Sequence, residues 1–251
     1  MTYCLAASVD AGLVFVSDSR TNAGIDQLGV HSKMHAFTDM DGRFFTLLSA
    51  GNLATTQAVV ARIRRHIRES ASLSLATVER MRDAADYVGA LGLQIREQYA
   101  RKSADEKFSP DADFIFGGQI GDEPHALFQI YAEGNYVAPT ELVPFLQIGE
   151  QKYGKPILDR IVQMDTELEK VALCGLVSMD STMRSNASVG PPIEIMLYSA
   201  RSGGPPVHRV FHEDDEYLRA IRDSWSESLR RAFDYLPPLA LPEARVRLVD
   251  S

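Results

Sequence analysis

The sequence predicts an α+β protein in which antiparallel sheets carry helices on their outer faces. Three observations lead there. Strand-like apolar runs dominate the chain up to Ser49, and an apolar period of three to four residues replaces them from Gly51. Strand runs and helices then recur in the order strands, two helices, strands, two helices, strands, one helix. No long Pro/Gly/Ser linker and no internal repeat interrupts that order. A single domain over residues 1–236 is therefore expected, followed by a tail over 237–251.

Each element has a local reason. Tyr3–Val9, the turn Asp10-Ala11-Gly12 and Leu13–Asp18 read as a hairpin. A polar stretch, Ser19–Ser32, leads to strands at Lys33–Thr38 and Arg43–Ser49, joined by the turn Asp39-Met40-Asp41-Gly42. Leu53, Thr56, Val60, Ile63 and Ile67 then form one helical stripe. Met81, Ala85, Val88, Gly92, Ile95 and Tyr99 form another. The basic run Arg62-Ile63-Arg64-Arg65-His66 reads as a solvated helix face. Lys102–Asp111 is a polar loop, followed by strands at Ala112–Gln119, His125–Tyr131 and Tyr136–Ile148. Pro156 suits a first helical position before Ile157–Met164, and Thr166 with Glu169 matches a capping box for the helix beyond. Strands at Ile193–Ala200 and Val207–His212 flank the loop Arg201–Pro206, and Glu216–Tyr235 is a last helix.

Composition narrows the function classes. The 34 acidic side chains outnumber 26 basic ones, and a net charge of −8 argues against tracking nucleic-acid phosphates. No apolar run is long enough to span a membrane. The apolar start lacks a basic segment and is cut by Asp10 and Gly12, so a strand is expected there rather than a signal peptide. Cys4 and Cys174 read as buried hydrophobes of a reducing, cytoplasmic compartment. No P-loop, dinucleotide fingerprint or Gly-x-Ser-x-Gly elbow occurs. The pairs His31/His35 and His208/His212 lack an evident third ligand. Neither a cofactor nor a metal is expected.

The N-terminus carries more chemistry. A small second residue lets Met1 be removed, which leaves Thr2 with a free α-amine. A threonine hydroxyl is a feeble nucleophile. An α-amine with a pKa of ~7.7–8.0 on the same residue can accept its proton near working pH. By itself Thr2 is only a common second residue. Its company is less common: Asp18 ends the second strand and Lys33 opens the third. Taken singly, Asp18 also reads as a turn carboxylate paired with Arg20, and Lys33 as an exposed strand-end lysine.

The start Thr2-Tyr3-Cys4-Leu5-Ala6, the stretch Ser17-Asp18-Ser19-Arg20-Thr21-Asn22-Ala23-Gly24, His31-Ser32-Lys33-Met34 and Leu48-Ser49-Ala50-Gly51-Asn52 together resemble proteasome-type β-subunits. More closely, they resemble the bacterial Anbu branch, the ancestral β-subunit. Phe116-Gly117-Gly118-Gln119, Gln147-Ile148-Gly149-Glu150 and Ser178-Met179-Asp180-Ser181-Thr182-Met183 extend the likeness over roughly residues 2–235. The resemblance implies a four-layer αββα sandwich, the N-terminal-nucleophile hydrolase fold. It implies Thr2 as nucleophile, Lys33 as the cation stabilising it, Asp18 as the partner of that lysine and the Gly51 N–H as oxyanion donor.

Departures accompany the likeness. The interval from Thr2 to Lys33 is one residue short of typical proteasome subunits. Glu150 follows Gly149 where the family places a serine that assists the α-amine. A further supporting Asp/Ser pair has no clean match, leaving Asp180, Ser185 and Ser188 as candidates. Three function classes follow: a threonine peptidase, an amidase or acylase acting on a small or modified peptide amide, and an inactive scaffold if Met1 is retained. The implied partners are a peptide or amide substrate and copies of the same chain in a closed or open ring. Neither nucleic acid nor membrane is expected as a partner.

Overall fold

Tyr3–Val9 (β1) and Gly12–Asp18 (β2) form the expected antiparallel hairpin, in register from Cys4 opposite Ser17 to Val9 opposite Gly12. The computed structural model describes residues 1–22, 28–102, 108–201 and 204–239. Phe145–Gly149 (β10) pairs with the free edge of β1. Ile193–Ser199 (β11) pairs with β2, and Val207–Phe211 (β12) completes a five-stranded sheet of order β10-β1-β2-β11-β12. A second five-stranded sheet runs Met34–Met40 (β5), Arg43–Gly51 (β6), Ala112–Ile120 (β7), Ala126–Ile130 (β8) and Tyr136–Val137 (β9). Arg20–Asn22 (β3) and Leu28–Val30 (β4) form a small ribbon where the sequence reading had only a polar stretch.

The strand alternation explains the layering. On β1, Tyr3, Leu5, Ala7 and Val9 face one apolar cluster while Cys4 and Ala6 face another. The first cluster is closed by Lys155–Ile161 (α3), Leu168–Ser185 (α4) and Glu216–Asp234 (α5). The second lies between the sheets, where Phe15 and Leu13 meet Phe44, Leu48 and Ile115. On β6 the opposite parity, Phe45 and Leu47, faces Leu53–Arg68 (α1) and Met81–Lys102 (α2). Both faces of β1, β2 and β6 are therefore buried, which is why they read as nearly unbroken apolar runs. The result is the αββα sandwich.

Two local readings need correction. Tyr136–Ile148 is not one strand: β9 joins the second sheet and β10 the first. Pro139 and Pro144 lie between them and have no N–H to donate to a ladder. Thr166 does not cap α4. Its hydroxyl accepts from the Gln163 N–H (2.9 Å), and Glu167 takes the N-cap position without a side-chain bond. The α1 stripe is correct in kind, with Thr56, Val60 and Ile63 buried, and Asn52 caps that helix by accepting from the Thr55 N–H. Of the tail expected from Pro237, everything beyond Leu239 lies outside the described residues, as do Ala23 and Gly24 of the resemblance.

Candidate active site

Thr2 sits immediately before β1, half-buried, and its neighbours are fixed by that strand's central place in the sheet. The β1–β2 register brings Asp18, the last residue of β2, beside Tyr3. The Tyr3 N–H donates to Asp18 Oδ1 at 3.0 Å. Lys33 Nζ donates to the same oxygen at 2.7 Å and to the Arg20 carbonyl oxygen at 2.7 Å. The Gly190 N–H donates to Asp18 Oδ2 at 3.3 Å. One carboxylate thus holds both the lysine and the strand residue that follows Thr2.

Asp18 has no exposed surface and Lys33 is 7% exposed. That burial excludes the turn carboxylate and the exposed strand-end lysine. Arg20 turns elsewhere, donating to the Ala187 carbonyl oxygen. Burial raises the pKa of Asp18, opposed by the Lys33 ammonium and by the two backbone N–H donors. The Ser49 N–H donates to the Lys33 carbonyl oxygen at 3.0 Å, tying the lysine to β6.

Gly51 ends β6 with φ +102°, and a Cβ there would lie 2.4 Å from the Asp111 carbonyl oxygen. Only glycine suits that backbone and that approach. α1 begins two residues later with no acidic side chain in its first turn, so its positive end is uncompensated there. Thr2, Lys33 and Gly51 all line one cleft of about 440 Å³. Asp18 lies behind it, reached through Lys33.

Other contacts set the position of Thr2. Its carbonyl oxygen accepts the Glu150 N–H at 2.8 Å. Gly149, at φ +82°, would place a Cβ 2.0 Å from that same oxygen. The Glu150 side chain is buried and accepts from Asn186 Nδ2 at 3.1 Å. The sequence reading missed a further anchor. The buried Tyr3 hydroxyl lies 2.7 Å from Ser178 Oγ and accepts from Gln147 Nε2 at 2.6 Å. Gln147 and Ser178 stand in segments already singled out, but nothing local joins them to Tyr3.

Asp180 is held by Arg222 (2.8 Å) at the contact of α4 with α5, and it shares a surface groove there with Ser185. Neither lines the Thr2 cleft. Ser188 lies on the segment between Asn186 and Gly190, where Asn186 reaches Glu150 and the Gly190 N–H reaches Asp18; it does not line the Thr2 cleft either. Burial pushes both cysteine thiols up, Cys174 to about 12, so neither is poised as a thiolate. Among the described residues no three His, Cys, Asp or Glu side chains converge as a metal cage needs, and no helix is long and apolar enough to cross a membrane.

Comparison with solved structures identifies the relatives. An Anbu (ancestral beta-subunit) protein from Yersinia bercovieri is 40% identical, with a TM-score of 0.89 over 96% of this chain and 100% of that one. The chain belongs to the Anbu family. A Gly-1 mutant of Anbu from Hyphomicrobium sp. strain MC1 is 42% identical (TM-score 0.88, covering 96% of this chain and 100% of that one). A helical assembly of the Anbu complex from Pseudomonas aeruginosa is 43% identical (TM-score 0.88, 97% and 100%). No protein-family model and no curated protein matches. The Anbu likeness covers nearly the whole chain.

Proposed function

We propose that this Anbu-family chain is a proteasome-like threonine hydrolase that cleaves peptide bonds with Thr2 after removal of Met1. The observation that carries the reading is the buried Lys33–Asp18 contact at 2.7 Å, beside a cleft that also contains Thr2 and Gly51. In this mechanism the freed α-amine of Thr2 takes the hydroxyl proton as the oxygen attacks the substrate carbonyl. The Lys33 ammonium stabilises the developing negative charge on the nucleophile side. Asp18 keeps that ammonium charged and aimed despite its burial. The Gly51 N–H and the positive end of α1 face the oxyanion. Collapse expels the amine leaving group, which takes the proton back from the Thr2 α-ammonium. A water that gives a proton to the freed α-amine then attacks the ester and releases the acyl group as the Thr2 oxygen regains that proton.

The exposed Met1 supports removal, because its side chain is not locked into the fold (66% exposed). Self-assembly is part of the proposal, since the Pseudomonas aeruginosa relative forms a helical assembly. The cleft volume also suits a compact ligand, and that favours a small or modified peptide amide as the second reading. The test is a peptide epoxyketone, which can join the hydroxyl and the α-amine of one residue into a single ring. An ordinary serine hydrolase has no adjacent amine to close it. Peptide mass spectrometry should place the adduct on Thr2, and Thr2→Ala should abolish it. If epoxyketones of several shapes leave Thr2 unmodified in protein shown to lack Met1, the hydrolase reading is wrong.

A further inference from the structure

The chain leaves the β2–β11 ladder at Asp18, the last residue in register there, opposite Ile193. Both oxygens that hold the Lys33 ammonium lie at this exit: Asp18 Oδ1 and the Arg20 carbonyl oxygen, each 2.7 Å from Nζ. Asp18 is still held by the sheet. Arg20 is not, and opens only the three-residue ribbon of β3 with β4. Ser19, between them, therefore sets how the two oxygens stand relative to each other. An ammonium has three N–H donors. With two spent on Asp18 and Arg20, the third is left for the cleft that Lys33 lines with Thr2.

Ser19 is buried and tied on three sides. Its N–H donates to the Gly190 carbonyl oxygen at 3.3 Å, and its own carbonyl oxygen accepts the His31 N–H at 2.9 Å. Its hydroxyl donates to Glu194 Oε1 at 3.2 Å. Glu194 stands on β11 opposite Ser17, and Ser19 is two residues on, the diagonal reach of a long side chain. The carboxylate passes over Ser17, whose buried hydroxyl has no partner among the described residues. Glu194 Oε2 lies 3.1 Å from His208 Nε2, its diagonal neighbour on β12. Glu194 is only 7% exposed, and a carboxylate so buried is costly unless hydrogen bonds replace its water. The buried Cys4 thiol, opposite Ser17 on β1, feels the charges of Asp18, Lys33 and Glu194 together, which puts all three in one neighbourhood.

We infer that Glu194 is a positioning residue of the Thr2 site: through the Ser19 hydroxyl it fixes the two oxygens that grip Lys33, and so aims the remaining ammonium N–H into the cleft. This rests on the threonine-hydrolase reading and deepens it. Glu194 and Ser19 do not line the cleft. Their effect therefore belongs to the bond-forming step and not to substrate binding.

The test follows Thr2 labelling by a peptide epoxyketone in protein lacking Met1, separating the maximal rate from the concentration that gives half of it. Ser19→Ala and Glu194→Ala should each lower the maximal rate about tenfold, the order expected for losing one hydrogen bond to a charged group, and leave that concentration unchanged. Ser19→Ala keeps the Glu194–His208 contact, so a loss there is not a loss of the β11–β12 staple. Glu194→Gln, whose amide oxygen still accepts from Ser19, should restore most of the rate. The double variant Ser19→Ala/Glu194→Ala should be no slower than either single one, because both cut the same link. An unchanged rate in Ser19→Ala, a loss confined to binding, an additive double variant or a Glu194→Gln as slow as Glu194→Ala overturns the inference and leaves the hydrolase reading standing. A crystal structure of Ser19→Ala reads the geometry without chemistry. If wild-type Thr2 is not labelled at all, the hydrolase reading falls and that structure decides: Lys33 Nζ displaced from the Arg20 oxygen supports the positioning, and an unmoved Nζ overturns it.

Discussion

Lys33→Ala tests the physics of the site most directly. The substitution removes the ammonium 2.7 Å from Asp18 Oδ1 and leaves a carboxylate with no exposed surface. At an effective dielectric of ~20, unit charges at this separation attract by about 6 kcal/mol. The N–H groups of Tyr3 and Gly190 remain and offset part of that loss. A net cost of about 3–5 kcal/mol is expected, as for other buried pairs stripped of one partner. For a chain of this size that is a fall of roughly 6–20 °C in melting temperature.

The pH dependence has a definite sign. Asp18 has a raised pKa in the fold, so its contribution to stability is greatest at low pH and is lost as pH rises through the raised value. Without Lys33 the carboxyl is raised further. The deficit of the variant should therefore be largest at neutral pH and shrink on acidification as Asp18 takes up a proton. Thermal melts at several pH values check this. A deficit below about 1 kcal/mol at neutral pH, the range of exposed pairs, or one independent of pH, would show that the pair is not desolvated as described.

Asp18→Asn should leave the fold intact while impairing Thr2 labelling and turnover, because Lys33 loses its counter-charge; wild-type labelling rates would contradict that role. Gly149→Ala should displace the Thr2 carbonyl and slow labelling at least tenfold, an effect of the 2.0 Å approach. Gly121→Ala is its control, since that glycine has positive φ but nothing within 4 Å of a Cβ, and it should cost only about 1–2 kcal/mol of backbone strain. Tyr3→Phe strands Ser178 Oγ and Gln147 Nε2 and should cost about 1–3 kcal/mol in denaturant unfolding; an unchanged midpoint would discount the anchor. Sedimentation should show a large homo-oligomer, and a strict monomer at micromolar concentration would contradict the assembly.

The positions of the candidate residues were legible because they stand at the ends of elements the sequence marks clearly, whereas the roles proposed for them came from the resemblance to proteasome-type β-subunits. Thr2 precedes the first strand, Asp18 ends the second, and Gly51 stands where the apolar period changes from two to nearly four. Tyr3, Gln147, Ser178 and Glu150 were not legible as one group. Their contacts join β1, β10 and α4 across more than a hundred residues of chain.

The sequence by itself determined the classes of element, the hairpin that carries Thr2 and the order of Thr2, Asp18, Lys33 and Gly51. Those properties follow from side-chain periodicity and turn chemistry, which act over a few residues. Only the tertiary structure decided that Pro139 and Pro144 separate β9 from β10 into different sheets, and that β10 lies beside β1 with Gly149 against Thr2. It alone decided that Asp180 belongs to Arg222. An alternating apolar pattern records that a face is buried. It does not record which distant strand or helix buries it, because that choice depends on how all the layers pack together.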